Sequence, residues 1–201
     1  MTELTPTRSV LLTLKDDRQA MREAYGFLDE KRTLLAAEII AQLRHYQGLR
    51  ARQDEAMTRA RAALRGAIAW HGLEGVQWAP KAAHYPADLV TTERSLLGVR
   101  VVDITLERHQ PEPSGITDFP AIAHCQRAFF DLIEAGTAMA AVIGNLTRLY
   151  EEYRRTERQT RSLEDVLLPE LNSQIREVEG RLEEGELEEA VRARPRRQMD
   201  A

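Results

Sequence analysis

Cysteine is almost missing from this chain: Cys125 is the only one in 201 residues, so no internal disulfide can form, and the composition suits a reducing compartment. Aromatic residues make up 5% of the sequence against 30% charged, thin material for a compact core. No apolar run approaches the roughly 18 residues needed to cross a bilayer. The start, MTELTPTRSV, lacks the charged head and apolar middle of a signal peptide, so the expectation is a soluble, cytoplasmic chain. The formal net charge of -4 gives no basic excess of the kind that marks a nucleic-acid binder.

The motifs of common catalysis are also missing. No Gly-Lys pair occurs, which excludes a GxxxxGK[ST] phosphate cradle, and neither GxGxxG nor GxSxG is present. His124 stands beside Cys125, but neighbouring helix positions point about 100 degrees apart and no CxxC or HExxH completes a metal shell. The pair reads as structural, and His45, His71, His84 and His109 as scattered surface or loop residues. The acidic run EVEGRLEEGELEE lacks the loop geometry that calcium requires and reads as a solvated helix face. Trp70 and Trp78 read as packing residues at the base of the region that follows them.

What the chain does have is Ala, Leu, Glu and Arg in long stretches, the composition of long helices and coiled coils. No proline falls between Arg8 and Trp70. Alternating steps of four and three from Leu14 through Arg18, Met21, Tyr25, Leu28 and Arg32 to Ala67 give sixteen positions, three-quarters of them apolar. That seam holds for about eight heptads, in a helix that would reach roughly 95 Å. Its end, Ala56 to Ala67, would let a partner helix approach closely. A second pattern follows Pro120, with Asp118 or Thr117 as cap, and its seam reads Phe129, Leu132, Met139, Ile143, Leu146, Tyr150 and Tyr153. After a polar break it resumes at Leu163, Leu167, Leu171, Ile175, Val178 and Leu182.

Between the two patterns the chain changes character, with glycines and prolines clustered from Gly72 to Phe119. Within DLVTTERSLLGVRVVDITLE, β-branched residues flank Gly98 and Val102, Ile104 and Leu106 alternate, which predicts a β-hairpin. The predicted division is a helix over 1–71, a loop and hairpin over 72–118, a helix over 119–191 and a flexible tail over 192–201. The fold class is all-α: a long antiparallel two-helix coiled coil with a small hairpin inserted between the helices. With Trp70 beside Pro120, facing positions sum to about 190, which brings Arg158 and Arg161 near Asp29, Glu30 and Arg32.

The stretch TRSLEDVLLPELN, Thr160 to Asn172, interrupts the second helix with Pro169. A helix-interior proline costs about 3 kcal/mol and presses on the carbonyl four residues back, here Asp165. Stopping at Leu168 would strand Leu171, Ile175, Val178 and Leu182, each worth about 1.5 to 3 kcal/mol if buried. The balance predicts a helix that continues past Pro169 with a bend near Asp165.

Three segments resemble one known family. PTRSVLLTLKDDRQ with LDEKRTLL, then RSLLGV, then RQTRSLEDVLLPELNSQIREVEGRLEE are similar, in order, to segments of the D subunits of V-type and archaeal-type rotary ATPases. The resemblance implies a central-stalk rotor that transmits torque between the hexamer of catalytic A and B subunits and the membrane ion ring. The F subunit of the stalk would bind its side, and the C (d) subunit of the stalk would meet the hairpin end. It implies a chain peripheral to the membrane, without catalytic residue, cofactor or metal, that contacts the hexamer through Arg8, Lys15, Arg158, Arg161, Leu167, Leu168 and Pro169. The alternative is a prefoldin-like coiled-coil chaperone or interaction protein, which also joins two helices through β-hairpins.

Overall fold

A computed structural model describes residues 7–78, 87–108 and 119–193. Helix α1 spans Arg8–Trp78, strands β1 and β2 span Ala87–Leu96 and Val99–Arg108, and helix α2 spans Pro120–Ser162. A π-helical segment, Leu163–Leu167, leads directly into helix α3, Leu168–Ala193. The expected architecture of two long helices with an antiparallel hairpin between them is what the chain forms. The proposed caps Thr117 and Asp118, His84, His109 and most of the predicted tail lie outside the described residues.

Helix α1 begins where Thr7 accepts the Val10 N–H on Oγ1 at 3.2 Å, satisfying a donor that the first turn leaves open. It is interrupted once: Gly72 has φ 71 and ψ 169, a left-handed conformation that a side chain would resist, and helical residues resume beyond it to Trp78. Helix α2 opens with Pro120 in its first turn, and the Phe119 carbonyl accepts the Ile122 and Ala123 N–H groups.

The chain forms two compact units, Leu34–Tyr153 and the pairing of Met1–Thr33 with Arg154–Ala201. In the first, Ala60, Ala63 and Ala67 pack with Ile122, Cys125 and Ala128, and a second cluster joins Leu35 and Leu149 to Val99 of the hairpin. In the second, Leu14 packs with Ile175 and Val178, flanked by Leu171 and Leu182. All sixteen α1 seam positions are buried or half-buried, and the groupings follow the antiparallel order expected from the sequence.

Of the seam expected for α2, Leu132, Met139, Leu146 and Tyr153 are half-buried, but three positions are one residue out of phase. Phe129, Ile143 and Tyr150 are exposed, while their predecessors Ala128, Val142 and Leu149 are buried. At Ala128 the partner accounts for this, because the alanine layer of α1 takes a small side chain, whereas Leu149 is drawn in by Leu35 and by Val99 of the hairpin. Past the break, Leu163, Ile175 and Val178 are buried as expected, whereas Leu167 is exposed. Trp70 is 82% exposed, which overturns its reading as a packing residue.

The hairpin is continuous over ten pairs, from Leu96↔Val99 at the turn to Ala87↔Arg108. Leu97 and Gly98 have φ 52 and 83, both positive as a type I′ turn demands. The left-handed conformation costs a leucine about 1–2 kcal/mol. Leu97 is held there by packing against the cluster of Leu35, Val99 and Leu149.

Candidate interaction surfaces

Among the described residues no three His, Cys, Asp or Glu side chains converge as metal ligands. His45 and His124 are exposed on helix surfaces, and the half-buried His71 makes an edge-to-face contact with Phe119 at 5.1 Å. Cys125 is buried in the alanine layer, and burial pushes its thiol pKa up, so it is not primed as a nucleophile. What the molecule offers is surface, and each unit presents its own.

In the unit of 1–33 and 154–201, the sequence-predicted contact residues fall into two groups. Arg8 pairs with Glu186 at 2.7 Å and Lys15 with Glu179 at 2.8 Å, two bridges between the helices that are solvent-exposed and individually weak. The Glu186 hydrogen bond and charge raise the Arg8 pKa further. Arg8, Glu179 and Glu186 border an open hollow of about 420 Å³ that is also lined by Leu11, Leu12 and Leu182. Arg161 pairs with Glu157 one turn back, and Arg32 with Asp29. These two arginines, expected beside charges of the opposite helix, each find a carboxylate within their own. Arg158 is exposed.

The second group surrounds Pro169. The helix continues through it, as the apolar pattern required, and the accommodation is a π turn: the Leu168 N–H donates to the Leu163 carbonyl five residues back. Pro169 has no N–H to donate, and in a regular α turn its ring presses on the Asp165 carbonyl; the wider turn falls on that stretch, and π-bulges are a recognised cause of helix kinks. The segment leaves Val166, Leu167 and Pro169 exposed, with Leu168 half-buried. Beneath it, the Glu164 carboxylate raises the Tyr25 pKa, with burial and Asp29 adding to the effect. Nearby Thr156 and Thr160 are fully buried. Thr160 Oγ1 donates to the Thr156 carbonyl at 2.9 Å, while Thr156 Oγ1 has no partner among the described residues.

In the unit of 34–153, one polar side chain fixes the hairpin to α2. Asn145, 1% exposed, accepts the Val102 N–H and donates to the Val102 carbonyl, both at 2.8 Å, as a neighbouring strand would. Arg148 Nη1 donates to the same Asn145 oxygen at 3.0 Å. The sequence carried only a weak sign of this, a polar residue among apolar ones.

The three misphased α2 residues, with Ile133, form an exposed apolar stripe. Phe129, Ile133, Ile143 and Tyr150 recur at heptad-compatible spacing and are 37–57% exposed. On α1, Ile40 and Leu43 are exposed at 51% and 45%. Both stripes follow the seam, and in an antiparallel pair the positions following the seam lie on the same side. The hairpin packs on the seam itself, through Leu35 and Leu149, and is bonded by Asn145. An 18-residue window of the helix Pro120–Arg192 reaches mean hydropathy 1.3 yet is only 11% buried. That qualifies the expectation that no segment of this length is so apolar. A shallow groove of about 630 Å³ near the α1 end is lined by Arg59, Gly66, Trp70, His124 and Arg127.

Residues 10–195 match the family of ATP synthase D subunits. The chain is 29% identical to the D subunit of the A-type ATP synthase of Methanopyrus kandleri, covering 94% of this chain and 84% of that one. It is 27% identical to the D subunit of the V-type ATP synthase of Thermotoga neapolitana, covering 94% of each. It is 30% identical to the V-type D subunit of Anaeromyxobacter dehalogenans, covering 96% of this chain and 95% of that one.

Proposed function

From its place in the family of ATP synthase D subunits, to which this chain belongs, we propose that it is the central-stalk rotor of a V/A-type complex. In this reading it carries no catalytic group and transmits torque between a catalytic A/B hexamer and a membrane ion-translocating ring, from the cytoplasmic side. The observation that supports it best is the α1 seam, buried or half-buried at all sixteen positions from Leu14 to Ala67. A helix packed without interruption through that length resists twisting, because every turn is held by side-chain contact.

The surfaces take partners in this reading. The exposed Val166, Leu167 and Pro169, with Arg8, Lys15, Arg158 and Arg161, face the hexamer. The uncovered stripe of Ile40, Leu43, Phe129, Ile143 and Tyr150 takes the F subunit of the stalk, through a helix whose apolar face matches its spacing. The groove beside Trp70 faces the C (d) subunit of the stalk. One rotor serves three catalytic pockets because its faces differ, so each pocket meets a different contact set and settles in a different state.

The test is assembly. Co-expressed with the A, B and F subunits, the chain is expected to copurify as one copy per three A–B pairs, counted by native mass spectrometry. Any other stoichiometry, or ATP turnover by the isolated chain, overturns the reading.

A further inference from the structure

The two outer edges of the hairpin are treated differently. With Leu96↔Val99 as the pair closing a two-residue turn, hydrogen-bonded and non-bonded pairs alternate away from it. Glu93↔Val102 is a non-bonded pair, so the Val102 N–H and C=O point outward, and Asn145 takes both. On β1 the same alternation turns the backbone groups of Leu89, Thr91, Glu93 and Ser95 outward. None of these has a hydrogen-bond partner among the described residues.

Exposed edges are normally blunted by shortness, proline, lysine, a bulge or a covering element. Strand β1 is ten residues long with no proline, lysine or bulge, and every residue from Asp88 to Ser95 is exposed. Its central charges are already met across the hairpin, Glu93 by Arg100 at 3.6 Å and Arg94 by Asp103 at 3.9 Å. At the far end Leu89 is 61% exposed beside its cross-strand partner Leu106.

We propose that β1 is a strand-addition site: an extended, uncharged, apolar segment of another polypeptide in the assembly pairs along its open edge. Backbone groups at 89, 91, 93 and 95 supply the ladder, and Leu89 supplies the side-chain contact. An incoming charge gains nothing from Glu93 and Arg94, which are already paired, whereas an apolar side chain beside Leu89 covers surface now in water. The inference rests on the reading of the chain as one component of a larger complex.

Residue-resolved hydrogen exchange tests it, on the isolated chain and on the purified complex. On assembly, the amides of Leu89, Thr91, Glu93 and Ser95 are expected to slow by about tenfold or more, while those of Val90, Thr92, Arg94 and Leu96 change little. Thr91→Pro removes one outward N–H without touching a bond inside the hairpin, so it should abolish the alternating slowdown. Retained protection at Val90 and Thr92 shows that its hairpin is intact, and Leu89→Pro serves if Thr91→Pro disturbs it. Uniform slowing, or none, overturns the inference. So does an alternating pattern in the isolated chain that vanishes on dilution, which would make a second copy the occupant. A wild-type chain that enters no complex sinks the rotor reading and this inference with it; one that enters without the pattern sinks only the inference.

Discussion

Removing the Asn145 amide should loosen the hairpin from α2 by a calculable amount. Asn145→Ala deletes two 2.8 Å bonds to Val102, each worth about 0.5–1.5 kcal/mol net. It also orphans an N–H and a carbonyl, at about 1–3 kcal/mol apiece where water cannot reach them. Val102 is half-buried, so water recovers part of that second cost. The expected loss is about 3 kcal/mol, a fall in Tm of roughly 6–12 °C for a chain of this size. Thermal unfolding followed by circular dichroism measures the shift, and exchange of the Val102 amide reports the site directly. Asn145→Asp keeps the acceptor for the Val102 N–H but sets a carboxylate against the Val102 carbonyl, so it should be no better than alanine. An alanine variant with unchanged Tm and a still-protected Val102 amide would refute the claim that this side chain anchors the hairpin.

Four further outcomes follow from other residues. Thr156→Val keeps the shape and removes an unpartnered buried hydroxyl, so urea unfolding should show a gain of about 1 kcal/mol. Pro169→Ala restores an N–H and should let the π turn revert to α-helix, raising stability by up to about 3 kcal/mol. In the assembled complex it should preserve the composition and weaken the coupling of rotation to ATP turnover, seen in single-molecule rotation; unchanged coupling leaves the proline a local kink. The raised Tyr25 pKa means the folded state holds that proton more tightly. Its stabilisation is complete below the unfolded tyrosine pKa of about 10 and is lost as pH rises towards the folded value. Tyr25→Phe should therefore lose less stability than wild type between neutral and strongly alkaline pH. Ile143→Lys, on the exposed stripe, should change the isolated chain's stability by no more than about 0.5 kcal/mol while reducing capture of the stalk's F subunit in a pull-down.

The α1 seam was legible because three-quarters of its sixteen positions are apolar at one period, enough to outvote Arg18 and Arg32. Three α2 positions were not, because burial there falls to Ala128, which meets the alanine layer of α1, and to Val142 and Leu149, the last held by Leu35 and the distant Val99, rather than to Phe129, Ile143 and Tyr150. Asn145 binds a backbone 43 residues away, and no local pattern announces such a bond. At Pro169 the stranded leucines dictated that the helix continue. Whether the turn would widen to five-residue bonds depended on the neighbouring carbonyls, which a sequence does not order. Of the seven contact residues, Arg8 and Lys15 lie in ion pairs between helices and Arg161 in one within its helix. Their charges were visible in sequence, and their pairing was not.

Cys125 has a practical consequence for any measurement of motion. Its sulfur lies in the alanine layer with Ala60, Ala63 and Ala67, and its raised pKa keeps it protonated at neutral pH. Maleimide and methanethiosulfonate reagents attack accessible thiolates, so a thiol that is both buried and harder to ionise should label much more slowly than one placed on the surface. A fluorophore or bead can be fixed to a thiol placed elsewhere on the surface without first replacing Cys125 and disturbing the alanine layer between α1 and α2.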